Sequence, residues 1–222
     1  MSIDIRQQDA LDLLRSLSTK SVDLIVTDPP YEFSSTRGGG SFGSKNRTYH
    51  GELTPISKGV TSEVLDEMLR VMKVPNIYIW CNKAQIPQYL EYFIDKKCNF
   101  DLLTWHKTNP VPTCHNKYLS DTEYCLYFRK GAKLYGTYET KRKYWVTPLN
   151  TDDKKKYDHP TCKPLEMISQ LISNSTLEGG LVCDPYVGSG TTAVACKQLG
   201  RSFVGCDIEE KYISVAKHRL LL

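Results

Sequence analysis

Short apolar, β-branched runs alternate with longer amphipathic segments along most of the 222 residues, and few folds accommodate that pattern. Ile3–Ile5, Val22–Val26, Ile77–Trp80, Leu102–Trp105, Cys125–Phe128, Leu181–Cys183 and Phe203–Gly205 read as strands. Continuous apolar runs, rather than alternating ones, are what strands covered on both faces require. Helical spacing runs through Asp9–Leu17, Thr61–Lys73, Leu165–Leu177, Thr191–Leu199 and Glu209–Leu220. Val64, Leu65, Met68, Leu69 and Met72 share one face of the second of these, and Gly200 follows the fourth as a helix-ending glycine does. The order predicts an α/β fold, a Rossmann-like and mainly parallel sheet with helices on both faces. The length suits one domain, spanning 1–222, with a core of its own.

Two stretches interrupt the alternation. Residues 32–60 are rich in Gly and Ser, carry Arg37, Lys45 and Arg47, and follow Asp28-Pro29-Pro30-Tyr31 directly. A loop of that length is expected to be functional, here as a mobile closing segment. Residues 129–158 hold nine Lys and Arg against four acids, a local charge of +5 that leaves −1 for the rest of the chain. Tyr135, Tyr138, Tyr144, Trp145 and Tyr157 are interleaved with those cations. Cations with stacking rings suit a polyanion that carries bases, whereas charge alone would equally describe a solvated loop. No run of eighteen apolar residues and no apolar leader is present, so neither a membrane span nor a signal peptide is expected, and the cytoplasm is the expected compartment. The eight cysteines are scattered, without a C-x-x-C pair, which predicts reduced buried thiols and no metal site.

Two constellations carry chemistry. In VDLIVTDPPY, residues 22–31, an apolar strand ends in an acid, two prolines and an aromatic. In open α/β folds that strand end is where ligands bind. Proline lacks an N–H but keeps its carbonyl, so Asp28 and a proline carbonyl together can accept both hydrogens of an –NH2 group. Tyr31 offers a flat face to the ring that bears the amine. A plain strand-ending turn is the competing reading of Pro-Pro. The second constellation is LVCDPYVGSGTTAVACKQLG followed by RSFVGCDIEEKY. Gly188 and Gly190 permit a tight turn, and Asp207 ends the next strand where an acid can accept from ribose hydroxyls. No Lys follows the glycines, so this is not a phosphate-binding P-loop. Asp184 before the loop disfavours a pyrophosphate and attracts the ammonium or sulfonium of S-adenosylmethionine.

These residues resemble the amino-group DNA methyltransferases, which modify adenine N6 or cytosine N4. DPPY at 28–31 resembles their catalytic motif and DPYVGSGTT at 184–192 their cofactor motif. HPTCKP at 159–164 is similar to a further cofactor-proximal motif, QQDAL at 7–11 to the segment beside the cofactor adenine, and WHKTNPVP at 105–112 to a pocket segment. The catalytic motif precedes the cofactor motif, as in the β-class of the family. The resemblance implies a circularly permuted class I S-adenosylmethionine-dependent methyltransferase fold. It implies a catalytic set of Asp28, Pro29, Pro30 and Tyr31. It implies cofactor contacts from Asp9, His159, Thr161, Lys163, Asp184, Pro185, Tyr186, Gly188, Ser189, Gly190, Thr191, Thr192 and Asp207. Arg37, Lys45, Arg47, Lys141, Arg142, Lys143 and Tyr144 are the expected DNA contacts, the stretch about 129–158 serving as a short target-recognition segment.

The expected reaction is methylation of adenine N6 in a base flipped from double-stranded DNA, since cytosine-N4 relatives more often carry Ser at the position of Asp28. Cytosine N4 is the alternative target. No Pro-Cys dipeptide is present, so a cysteine nucleophile of the carbon-5 type is not expected. Partners consistent with this reading are a second copy of the chain and a cognate restriction endonuclease, in a bacterial or phage-infected cell. Two readings from other classes compete: an NAD-dependent oxidoreductase using the 188–193 glycine loop, and a DNA-binding protein on a silent methyltransferase fold.

Overall fold

The computed structural model describes residues 1–31, 60–110, 112, 116–149 and 162–221. The strands are β1 (Ile3–Gln7), β2 (Leu24–Thr27), β3 (Asn76–Cys81), β4 (Asn99–Lys107), β5 (Thr122–Arg129), β6 (Tyr144–Thr147), β7 (Leu181–Asp184) and β8 (Ser202–Asp207). The helices are α1 (Ala10–Ser16), α2 (Ser62–Val71), α3 (Ile86–Asp95), α4 (Leu165–Ser175), α5 (Thr191–Gln198) and α6 (Glu210–Leu221). All eight strands form one sheet in the order β1-β8-β7-β2-β3-β5-β4-β6.

Side chains alternate across this sheet, and each face has its own helices. Ile25, Ile77, Ile79 and Phe128 point to one side, where they meet Leu13 and Leu14 of α1, Leu65 and Met68 of α2, and Phe93 of α3. Leu24, Val26, Tyr78 and Trp80 point to the other, against Ile168 and Leu171 of α4, Ala193 of α5 and Ile213 of α6. Both faces are therefore dry, which is why the sequence runs of β2 and β3 are apolar without alternation. Helix starts follow their side chains: Asp9 accepts from the Leu11 N–H at 2.8 Å, and Thr61 caps α2.

Five of the seven strand pairings are parallel, as expected; β5 runs antiparallel to both β3 and β4. No helix lies between β4 and β5 among the described residues, so the chain returns without the crossover a parallel pairing needs. Two elements were not expected. Helix α3 has the core spacing Ile86, Tyr89, Leu90, Phe93 and tolerates Pro87 because proline fits the first turn of a helix. Strand β6 adds to the edge of β4 from within the basic aromatic stretch, Trp105 opposite Trp145. Its outward residues Tyr144 and Val146 are exposed, which masks it in a hydrophobicity pattern. No helix among the described residues is long and apolar enough to cross a membrane.

Candidate active site

Strands β1, β8, β7, β2 and β3 all point their C-terminal ends to one edge. From β7 the chain goes outward to β8, while from β2 it goes the other way to β3. The strand order thus reverses between β7 and β2, and such a switch point marks the crevice where open α/β sheets bind ligands. Asp184 ends β7 and Asp28 follows β2, so both sequence constellations open into this crevice. A hydrogen bond fastens them together: Thr27, just before Asp28, donates its hydroxyl to Asp184 at 2.8 Å.

Asp28 is the charged centre of one side. Its Oδ2 pairs with the Lys163 ammonium, while its Oδ1 is buried with no hydrogen-bond partner among the described residues. Lys163 is only 5% exposed and also lies 3.2 Å from Glu123 Oε2, 3.4 Å from the Tyr31 hydroxyl and over the rings of Tyr31 and Trp80. Glu123 in turn pairs with Lys107 at 2.7 Å. Carboxylates and ammoniums therefore alternate through Asp28, Lys163, Glu123 and Lys107. Burial pushes the Asp28 carboxyl above its ordinary range, against the pull of Lys163. Burial also opposes charge on Glu123, but Lys163 and Lys107 outweigh it and hold that carboxyl down at about 2. Burial works against the Lys163 charge too, yet Asp28 and Glu123 raise its ammonium well above the usual lysine range.

The tetrapeptide is held from below. Gln85, buried, donates its amide to the Pro30 carbonyl at 3.2 Å and accepts from the Asn82 N–H. The Pro30 carbonyl is thus engaged, which favours that of Pro29 as the carbonyl partner of an amine. Tyr31 sits against Lys163, its phenol pushed up by burial and by Asp28.

The glycine loop forms the other side. Gly188 and Gly190 take φ of +49° and +80°. A Cβ on Gly190 would meet Ala216 Cβ at 2.6 Å and Ala216 Cα at 2.9 Å. Asp207 accepts the Gly188 N–H and the Glu209 N–H, both at 2.9 Å, so it ties the loop to the end of β8. Ser189, Thr191 and Thr192 turn inward. Thr192 donates to Asp184 at 2.8 Å, and Ser189 and Thr191 receive Arg219 in a buried cluster that includes Cys162. Asp184, with no cation beside it among the described residues, is pushed up by burial to about 7 despite bonds from Thr192, Thr27 and the Tyr186 N–H. A buried acid that lacks a counter-charge, a carboxylate at the end of β8 and a glycine turn between them fit a cationic adenosyl ligand. Pro185 and Tyr186 follow Asp184 on the same edge, and Asp9 follows β1 there with its carboxylate engaged as the α1 cap.

Several expected site residues are placed elsewhere or are not described. Arg37, Lys45, Arg47, His159 and Thr161 lie outside the described residues, as does most of 32–60. Lys163, which the resemblance puts with the cofactor, turns its ammonium to Asp28 instead. Tyr144 pairs with Thr104, three residues short of the edge that Lys107 reaches, or about 10 Å along a strand. Lys141, Arg142 and Lys143 precede it, with Lys143 paired to Asp101. Glu123 and Gln85 complete the site without having been singled out for it, whereas Lys107 comes from the segment at 105–112 that was expected to line the pocket. The seven described cysteines are buried and form no disulfide with one another, and burial raises Cys81 to about 12 and Cys125 and Cys183 well above their usual range. Such thiols are not thiolate nucleophiles.

Comparison with known proteins identifies the family. The family described as DNA methylase, of the N6 and N4 type, matches residues 22–218. A Type II methyltransferase of Lactococcus lactis subsp. cremoris, M2.LlaDCHI, is 32% identical over 96% of this chain and 87% of its own length. The crystal structure of an M1.HpyAVI complex with S-adenosylmethionine superposes with a TM-score of 0.73 at 27% identity, covering 99% of this chain and all of that one. The cytosine-N4-specific PvuII methyltransferase shares the fold at a TM-score of 0.74 and 16% identity, over the whole of this chain and 87% of that one. By these matches the chain belongs to the N6/N4 family of DNA methyltransferases, whose methyl donor is S-adenosylmethionine, and not to the oxidoreductases.

Proposed function

We propose that this protein methylates N6 of adenine in double-stranded DNA, and that Asp28, Pro29, Pro30 and Tyr31 form the catalytic turn. The observation that carries the reading is the buried, unpartnered Oδ1 of Asp28 beside Tyr31, in the same crevice as the glycine loop. A buried acceptor without a donor is costly unless a ligand completes it. An amine on a base that is flipped out of the duplex supplies that donor. The lone pair of an aromatic amine is delocalised into its ring, so it is a weak nucleophile. Asp28 Oδ1 and the Pro29 carbonyl, each taking one amine hydrogen, favour a tetrahedral nitrogen whose lone pair is localised. Tyr31 holds the ring by stacking. S-adenosylmethionine supplies an electrophilic methyl group on its sulfonium. As the N–C bond forms and the S–C bond breaks, the nitrogen carries one proton too many, and Asp28 Oδ1 is the base placed to take it. Positioning and electrostatics supply the acceleration. The fold is shared with a cytosine-N4 enzyme, so the preference for adenine rests on Asp28 itself, where the family's cytosine members more often carry Ser. Incorporation of labelled methyl groups into unmethylated genomic DNA tests the reading, with the label expected on adenine.

Asp184, Asp207, Gly188 and Gly190 hold the donor in this account, with Asp9, Pro185 and Tyr186 around its adenine and Ser189, Thr191 and Thr192 bracing the loop from behind. A cation beside Asp184 favours its anion, so binding releases a proton wherever the empty site is protonated. Cofactor affinity is therefore expected to rise with pH up to about 7, by as much as about tenfold per pH unit, and to level off above it. Calorimetry in buffers of different ionisation enthalpy reads both the affinity and the released proton. An affinity that stays constant from pH 6 to pH 8 would contradict the placement of Asp184 beside the cation.

For DNA, the basic stretch that leads into β6 supplies phosphate contacts, with Tyr144 exposed beside it. Neutralising Lys141, Arg142 and Lys143 with Gln is expected to weaken binding alike for all sequences. It should also lower the slope of log K against log salt by about 1 for each phosphate no longer neutralised. An unchanged slope would return these residues to the solvated surface. A role beside a cognate endonuclease is supported by the likeness to Type II methyltransferases.

A further inference from the structure

Lys163 is a buried cation between two carboxylates, and the reading of Asp28 above gives that arrangement a purpose. We propose that Lys163 is the positioning residue of the catalytic acid: braced by Glu123, it occupies Oδ2 of Asp28, turns Oδ1 toward the target amine and keeps the carboxylate charged. The geometry has three parts. Lys163 directly precedes Pro164 and α4, so a rigid helix start delivers its side chain to the crevice. Glu123 at the beginning of β5 and Lys107 at the end of β4 meet because those strands are antiparallel neighbours. The rings of Tyr31 and Trp80 wall the ammonium in at 5.7 and 5.1 Å from their centroids, with the two carboxylates as its charged neighbours. Oδ2 is thus committed, and one oxygen of Asp28 remains for substrate.

The charges around Asp28 can be named by element. Lys163 and Glu123 face it directly, Tyr31 comes from its own turn, Cys81 from β3, Cys125 from β5 and Asp184 from β7. Burial keeps the phenol and both thiols neutral, so Lys163 is the only cation acting directly on Asp28 among the described residues, and Glu123 and Asp184 are the anions opposing it. Removing Lys163 leaves Asp28 in a largely buried site facing a carboxylate. Removing the charge of Glu123 does the reverse, since Lys163 then serves Asp28 alone.

Opposite shifts are the signature that a merely structural role does not produce. Lys163→Gln is expected to move the acid limb of the kcat–pH profile up by a pH unit or more, with activity lost about tenfold more at the acid end than at the alkaline end. Lys163→Arg should restore the limb, and Glu123→Gln should move it down. Cofactor affinity should stay within about threefold in all three, a fold-change that separates this role from a cofactor contact. Titration of the Asp28 carboxyl by carbon-13 NMR, assigned against Asp28→Asn, reads the same shifts without turnover. A wild-type protein that binds S-adenosylmethionine but methylates nothing would defeat the functional reading and leave this inference to the NMR titration. Limbs and titrations that stay in place in both neutral variants, or a Lys163→Gln protein that loses the cofactor with its Asp28 titration unmoved, would overturn it.

Discussion

Asp28→Ala is expected to lower methyl transfer by about 10³-fold or more while changing S-adenosylmethionine affinity by less than about threefold. The substitution removes the buried acceptor that awaits a donor, and it touches none of the bonds that shape the glycine loop. Asp28→Asn is the companion variant, because it keeps the shape and removes the charge that Lys163 requires. Stopped-time transfer assays and cofactor titration together give the split. Turnover within tenfold of wild type would remove Asp28 from the reaction; loss of cofactor binding would move it to the other side of the crevice.

The second large effect concerns stability. Gly190→Ala is expected to destabilise the protein by about 2–5 kcal/mol, from about 1–2 for a left-handed backbone and about 1–3 for overpacking against α6. The clash is with Ala216 Cα as well as its Cβ, so no side-chain rotation relieves it. For a chain of this length that corresponds to a fall in Tm of roughly 5–15 °C. Because Gly190 carries the turn from β7 into α5, cofactor affinity should fall with it. Thermal unfolding with and without S-adenosylmethionine measures both, and an unchanged Tm would mean that the loop has room the structure does not show.

Most of the sheet was legible in the sequence because burial on both faces writes itself as an uninterrupted apolar run, as in Leu24–Thr27 and Asn76–Cys81. Strand β6 was not, since a four-residue edge strand with Tyr144 and Val146 in solvent carries no such run. Helix α3 had the signal in Ile86, Tyr89, Leu90 and Phe93, and Pro87 is the residue that disguised it. The two halves of the site were legible for a local reason: DPPY and the glycine loop each follow a strand, and parallel strands bring their ends to one edge. What joins them was not. Thr27 meets Asp184 from 157 positions away, and Lys163 meets Asp28 from 135. Neither pairing leaves a mark in spacing or composition. Lys163 lay in a stretch that resembles a cofactor motif, and only the folded position of its side chain at the start of α4 shows which carboxylates it serves. Glu123 reads as an ordinary strand-end acid until the antiparallel return of β5 places it beside Lys163 and Lys107.

In the proposed reaction Asp28 and its neighbours direct methyl transfer to the amine of adenine. Nucleoside mass spectrometry of unmethylated DNA incubated with the protein and S-adenosylmethionine tests it most directly. N6-methyladenine is the expected product, absent when Asp28 is replaced by Ala. N4-methylcytosine in its place would contradict the assignment of the base, and DNA left unmethylated by a protein that binds the cofactor would contradict the assignment of the reaction.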